Sequence, residues 1–155
     1  MAQLFEKWGR QFPFVLAAGP DEVRVIIAEE SDVFTARKQA REFAQQAGLS
    51  QTAMESLALA MSEIAQNIVV HAGEGEIRIF IVRELGREGV AAVAADDGPG
   101  IPDIRLALED GYSTAHGLGL GLSSAKRLMD EFEIVSASGT GTIIIMKKWA
   151  HDSSD

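Results

Sequence analysis

The chain has 155 residues, of which 46% are hydrophobic and 24% charged, so it is long enough to bury the core of one globular domain. It contains no cysteine, which excludes a disulfide framework, a thiolate metal site and a cysteine nucleophile and makes a reducing, cytoplasmic compartment the expected one. The net charge of −9 argues against nucleic-acid binding, which relies on Lys and Arg to neutralise phosphates. No apolar run approaches the ~20 residues that span a bilayer, so protein or nucleotide partners are expected instead.

The first half of the chain predicts an irregular extension, one strand and two helices. Residues 1–21 are aromatic and end in a Gly-Pro-Asp turn. A run of β-branched residues over 22–28 predicts a strand. Cap signals then predict one helix over 33–47, closed by Gly48, and a second that begins after Ser50 and runs to about Val70.

The second half predicts two hairpins around one helix. Residues 76–82 and 90–95 form the first hairpin, and 133–136 and 142–146 form the second. Residues 97–116 are the longest irregular stretch and are typical of a functional lid. Leu122, Ala125, Leu128, Met129 and Phe132 recur at helical spacing. The predicted fold is an α+β two-layer sandwich with a mixed, mainly antiparallel sheet and helices on one face. The domain is placed at 22–149, between the extension and a flexible tail over 150–155.

Glu63 and Asn67 are the first pair of candidate site residues. They are four positions apart on a predicted helix, so a carboxylate and an amide point at one spot. An amide oxygen suits magnesium, and a carboxylate can accept the proton of an attacking hydroxyl. His71 extends the same stripe and is interpreted as a helix-end residue favoured by the dipole. From spacing alone, the solvated face of an amphipathic helix is the simpler interpretation.

Asp96 opens the second motif, Asp-Asp-Gly-Pro-Gly, directly after an apolar strand. A carboxylate at a strand end can accept a hydrogen bond from the exocyclic amine of adenine, while Gly98 and Gly100 let the backbone approach the base. The alternative is a polar turn that ends the strand.

Three alternating glycines form the third motif, immediately before a predicted helix. Unhindered backbone N–H groups at Gly117, Gly119 and Gly121 could hold phosphates without many lysines. The pattern is neither a P-loop nor a dinucleotide fingerprint. Ser113 and Thr114 are possible lid contacts.

In their order and spacing these motifs resemble the N, G1, G2 and G3 boxes of Bergerat-fold proteins, the GHKL ATPase/kinase superfamily. The fourth box corresponds to Gly139-Thr140-Gly141-Thr142. The stretches 97–104, 109–114 and 126–132 resemble in particular the RsbT-type serine/threonine switch kinases, the anti-sigma-factor kinase group of the bacterial stressosome. The likeness covers about residues 22–149 and leaves the N-terminal extension unexplained.

The resemblance implies that the protein uses ATP and Mg²⁺ to phosphorylate a Ser or Thr of a STAS-domain antagonist or stressosome protein. It further implies that the protein regulates a PP2C-type phosphatase by partner switching. Carried over, Glu63 resembles the catalytic base, Asn67 the magnesium ligand, Asp96 the adenine-binding carboxylate and Thr142 the third-box threonine near adenine. The remaining nucleotide contacts that it implies are Gly98, Gly100, Ile101, Ser113, Thr114, Gly117, Leu118, Gly119, Leu120, Gly121 and Leu122.

Two other functions stay open at this point. One is an anti-sigma factor that binds and sequesters a sigma factor directly. The other is a stand-alone histidine-kinase-like ATP-binding domain, for which the sequence shows no dimerising helical pair with a phosphoacceptor histidine. An inactive nucleotide-binding adaptor would carry the same motifs, because motifs indicate binding and not turnover.

Overall fold

Five strands form one sheet in the computed structural model, which describes residues 21–101, 103–109, 121–136 and 139–150. Runs of Val and Ile form the centres of β1, β2 and β5, as the pleated, half-buried surface of a strand favours. The sheet order is β1-β2-β3-β5-β4, and each described neighbour pair is antiparallel. The strands are β1 (Val23–Ile27), β2 (Gly75–Glu84), β3 (Arg87–Asp96), β4 (Glu131–Ser136) and β5 (Thr142–Trp149).

Helix α1 (Glu30–Ala47) begins three residues earlier than predicted. The carboxylate of Asp32 accepts the backbone N–H groups of Ala28 and Glu29, both at 2.9 Å, and so satisfies donors ahead of the first turn. The helix ends as predicted at Gly48. This residue has a φ of +79°, a conformation that glycine adopts without strain.

Helix α2 (Gln51–Asn67) is capped as predicted by Ser50, whose hydroxyl accepts the Ala53 N–H at 3.1 Å. It continues as a π-helical turn over Ile68–Ala72 that periodicity did not predict. Turns of this kind often occur at functional sites. Two shorter helices follow, α3 (Ile104–Ala107) within the stretch predicted to be irregular and α4 (Leu122–Leu128).

Phe132 does not belong to the last helix, although its spacing predicted so. It lies in β4, because α4 ends at Leu128 and the chain turns at Met129 and Asp130. The Asp130 carboxylate accepts the Trp149 N–H at 2.8 Å, and its own N–H donates to the Lys147 carbonyl at 3.0 Å. These two hydrogen bonds start the β4–β5 pairing earlier than predicted.

The helices cover one face of the sheet, so the predicted α+β sandwich is confirmed. Buried residues from each of α1, α2, α3 and α4 share one core with strand residues such as Ile27, Ile77, Ile79 and Met146. A second, smaller core on the opposite face contains, among the described residues, only strand residues. Within the part of the chain that the structure describes, no helix is both long and apolar enough to cross a membrane.

Candidate nucleotide site

One end of the sheet brings four residues into a single cross-strand row on the helix side. Gly75 pairs with Asp96, Asp96 with Thr142, and Thr142 with Ser136. Directly paired residues on antiparallel strands point to the same face. A Cβ at Gly75 would approach Ile68 Cγ2 to 2.8 Å, so glycine here allows the π-helical turn to lie close against the row.

A cavity of about 240 Å³ opens between this row, the end of α2 and the start of α4. Its walls are mostly apolar, with a few polar groups, as small-molecule sites usually are. It brings together six of the predicted site residues from all four motifs: Asn67, Asp96, Gly100, Ile101, Leu122 and Thr142. Its other lining residues include Ile64, Ile68, Ala94, Pro99, Asp103 and Ile144.

Asp96 presents a partly buried carboxylate to the cavity. Its Oδ1 accepts the Gly98 backbone N–H at 2.9 Å, which fixes the side chain and the start of the following loop. Burial raises the pKa of Asp96, the charge of Asp97 adds to the rise, and hydrogen bonds from the Gly98 and Thr142 backbone oppose it. Gly98 must be small, because a Cβ there would approach Ala72 Cβ to 2.8 Å.

Two buried polar atoms in the cavity wall have no hydrogen-bond partner among the described residues: Asn67 Oδ1 and His71 Nε2. A buried polar atom without a partner is destabilising, so such an atom in a cavity wall indicates a ligand group. Asn67 Oδ1 is a hard oxygen donor, and it therefore fits a magnesium ion that takes most of its other ligands from phosphates and water. His71 is a cavity residue, and not only the helix end that the sequence suggested.

Glu63 lies one turn before Asn67 on α2, where its carboxylate contacts Gly121. A Cβ on Gly121 would collide with Glu63 Oε2, and Gly121 has a φ of +62°. Both observations favour glycine at this position. The last glycine of the third motif and the carboxylate of the first are therefore in direct contact, as expected if both act on one ligand.

Ser136 ties the loop after β3 to the β4–β5 hairpin. Its hydroxyl accepts the Ile101 N–H at 2.8 Å, lies 2.7 Å from the Gly141 carbonyl that it donates to, and is 2.8 Å from Thr142 Oγ1. A further bond joins the Gly139 N–H to the Pro99 carbonyl at 2.6 Å. These contacts hold the second and fourth motifs against each other across the cavity mouth.

Six of the predicted nucleotide contacts lie outside the described residues: Ser113, Thr114, Gly117, Leu118, Gly119 and Leu120. Sequence reasoning did not find Ser136, since one serine in a predicted strand carries no local signal. The helical spacing of Asn67 and His71 was the one signal that could have indicated a role for His71.

The model of the histidine kinase-like ATPase domain matches residues 26–148. The serine/threonine-protein kinase RsbT of Bacillus subtilis is 45% identical over 129 residues, which are 83% of this chain and 97% of that protein. The anti-sigma F factor of Clostridium acetobutylicum is 32% identical over 133 residues, 82% and 91% of the two chains. That of Caldanaerobacter subterraneus is 27% identical over 132 residues, 83% and 92%. The resemblance inferred from the motifs is confirmed.

Proposed function

Because this chain belongs to the histidine kinase-like ATPase family, we propose that it binds Mg-ATP in the described cavity and transfers the γ-phosphoryl group to a partner protein. The enzyme class is serine/threonine-protein kinase, the class named for the 45% identical relative. The observation that carries the proposal is the convergence of Asn67, Asp96 and Thr142 on one cavity, with Glu63 beside it.

Different described residues can bind different parts of Mg-ATP. The Asp96 carboxylate accepts a hydrogen bond from the adenine amine, Gly100 in the cavity wall leaves room for the base, and Gly98 lets the loop pack against Ala72. The unpartnered Asn67 Oδ1 is the protein ligand for magnesium. When bound, that ion supplies positive charge against the phosphate oxygens. The glycine motif is assigned to the phosphates by sequence, with Gly121 as its described member.

Glu63 is proposed as the base. The Ser or Thr hydroxyl oxygen of the partner attacks the γ-phosphorus while its proton passes to the Glu63 carboxylate. The bond between the γ-phosphorus and the bridging oxygen breaks, and ADP leaves. Such a transfer depends mainly on positioning and charge neutralisation, so few side chains are needed.

The proposed acceptor is a STAS-domain protein, and the proposed second partner is a PP2C-type phosphatase that the protein regulates by partner switching. The support is the overall likeness to RsbT and the motif stretches that resemble the switch kinases. A cytoplasmic location is part of the same proposal, since the reaction uses ATP.

A second candidate is direct sequestration of a sigma factor, and the similarity to the anti-sigma F factors favours it. Those proteins are 27% and 32% identical, compared with 45% for RsbT, so we rank it second. Capture of a purified sigma factor by the ATP-loaded protein would support this alternative.

The test uses Glu63→Gln, with γ-labelled ATP, magnesium and a STAS-domain protein encoded near this gene. Transfer of label is expected to fall about 10²- to 10⁴-fold, the usual contribution of a positioned base, while ATP affinity changes by less than about threefold. The matched control is Glu55→Gln, an exposed glutamate two turns earlier on α2 that pairs with Arg41 at 2.9 Å. Equal labelling by Glu63→Gln and wild type would overturn the assignment of the base.

A further inference from the structure

Two side-chain contacts join α1 to α2 on the side of the helices that faces solvent. Arg41 binds Glu55 at 2.9 Å, and Gln66 donates a hydrogen bond to Glu30 at 2.6 Å, which fixes the antiparallel register of the two helices. Residues three or four positions apart lie on the same side of a helix. The residues of this side that lie between the two contacts form what we call the α1–α2 patch: Phe34, Arg37, Lys38, Leu59 and Ser62.

The α1–α2 patch contains two of the five large apolar side chains that the described residues expose. Phe34 is 61% exposed and Leu59 is 52% exposed. The other three lie apart from one another, on β1, in the π-helical turn and between β2 and β3. The Arg37 guanidinium lies over the Phe34 ring, 4.8 Å from its centroid. Aromatic and arginine side chains are enriched at protein–protein interfaces, so this pair favours contact with another protein.

The charge of the α1–α2 patch is opposite to that of the chain. The chain has a net charge of −9, whereas Arg37, Lys38 and Arg41 place three cations on five consecutive residues of α1. Arg41 pairs with Glu55, but Arg37 and Lys38 have no carboxylate partner among the described residues. A partner that brings carboxylates to these two cations would therefore be complementary in charge to the patch.

The patch lies next to the proposed base on α2. Leu59 is one helical turn before Glu63, about 6 Å along the axis, and Ser62 directly precedes it. The Ser62 hydroxyl donates to the Ala58 carbonyl at 3.0 Å, so it is already satisfied within the helix. The Glu63 carboxylate contacts Gly121 at the start of α4. A protein that covers the patch therefore ends beside the carboxylate that is proposed to take the proton.

We propose that the α1–α2 patch binds the phosphoryl-acceptor protein. The acceptor contributes a large apolar side chain that contacts Phe34 and Leu59, and carboxylates that pair with Arg37 and Lys38. This inference rests on the proposed kinase function and names the surface through which the enzyme selects its substrate. The acceptor hydroxyl reaches Glu63 from the side of the patch, whereas ATP occupies the cavity. The patch residues act in substrate binding and take no part in the transfer itself.

Steady-state transfer of label to the STAS-domain protein encoded near this gene tests the proposal on the full chain. Phe34→Ala combined with Leu59→Ala is expected to raise the KM for the acceptor at least about tenfold, while kcat and the KM for ATP change by less than about threefold. Arg37→Glu should raise the same KM, most strongly at low ionic strength. The matched control is Leu85→Ala, at a 98% exposed leucine between β2 and β3, which should change none of these quantities.

A calorimetric titration separates binding from transfer. The ATP-loaded Glu63→Gln protein is titrated with the acceptor, with and without the two alanine substitutions, and these are expected to weaken binding at least about tenfold. Both substituted side chains are exposed, so the variants should unfold at nearly the same denaturant concentration as their parent.

An acceptor KM and affinity that the two alanines leave unchanged would overturn the proposal, even if the wild type is an efficient kinase. Failure of the kinase function has a different signature, in which the wild type binds the acceptor without labelling it. The titration then decides on the patch by itself. Loss of sigma-factor capture by the same variants, with unchanged affinity for the acceptor, would assign the patch to that other partner and also overturn the proposal.

Discussion

Ala95 and Asp96 are consecutive residues of β3, and the cavity side and the far side of the sheet diverge at this point. Asp96 and its partner Thr142 face the cavity, where their polar side chains can bind a ligand. Ala95 and its partner Ile143 lie on the side of the sheet that faces away from the helices, where both are buried. The pleat alone separates the two, because successive strand residues point to opposite faces. Ligand binding and stability should therefore respond to different substitutions in the same strands.

The largest expected effect is on stability, from Ile143→Ala. This side chain is 0% exposed, so its truncation leaves a cavity and should lower the free energy of unfolding by about 3 kcal/mol. ATP affinity should change by less than about threefold, since the side chain points away from the nucleotide. Denaturant titration and calorimetric ATP binding measure the two effects.

Ile26→Ala is the matched control for this prediction. Ile26 pairs with Glu76 and so lies on the same far side, but it is 48% exposed, and its truncation should cost less than about 1 kcal/mol. Equal losses of stability at both positions would contradict the difference in burial between Ile143 and Ile26.

Asp96→Asn should weaken ATP binding without loss of folding, which is the reverse of the effect expected for Ile143→Ala. The amide keeps an oxygen for the Gly98 N–H but presents the adenine amine with a weaker acceptor or with a second donor. ATP affinity is expected to fall about hundredfold, or roughly 2.7 kcal/mol, without loss of folding. Asp97→Asn, at the exposed neighbour, should leave ATP affinity unchanged. Unaltered binding by Asp96→Asn would remove the adenine assignment.

Ser136→Ala tests whether the cavity mouth needs its hydroxyl bridge. The substitution removes the acceptor of the Ile101 N–H and the donor to the Gly141 carbonyl, and the expected loss of stability is about 1–2 kcal/mol. The KM for ATP should rise, because the loop after β3 loses its attachment to the hairpin. Ser62→Ala removes a single bond to Ala58 within α2 and should have a smaller effect on both quantities.

Local signals predicted the fold well because each one has a local physical cause. Gly48 and Ser50 mark a helix end and a helix start through backbone conformation and a cap. Phe132 was misplaced because its spacing matches a helix, whereas the hydrogen bonds of Asp130 to a distant strand decide its place. Periodicity contains no information about that pairing.

The candidate site likewise contains residues that the sequence identified and residues that it did not. Asn67, Asp96 and Thr142 were identified through motifs and the family resemblance, and the structure brings them to one cavity. His71 and Ser136 depend on which strand ends and helix ends meet, so only the three-dimensional arrangement reveals them. The burial of Glu76 and Arg78 depends on tertiary structure too, since their alternation with Ile77 and Ile79 is typical of a strand with one exposed face.

The smallest expected effect concerns the ligand-free protein and the pH. Because burial raises the pKa of Asp96, the folded state binds this proton more tightly than the unfolded state does. As pH rises from the unfolded pKa of Asp through the raised folded value, the wild-type protein therefore loses stability at this group. The loss is complete above the raised folded pKa and absent below the unfolded pKa.

Asp96→Asn removes this titration while it retains the hydrogen bond from Gly98. Without nucleotide, the variant should be more stable than wild type at neutral pH, and the difference should shrink as pH falls through the range that separates the two pKa values. Unfolding titrations of both proteins across acidic to neutral pH measure it, with Asp97→Asn expected to lie between wild type and Asp96→Asn because the Asp97 charge adds to the rise in the Asp96 pKa. A variant less stable than wild type at neutral pH would contradict the prediction. A more stable one would show that the Asp96 carboxylate is kept for its ligand at the expense of the fold, whereas Ile143 on the other side of the sheet contributes to stability.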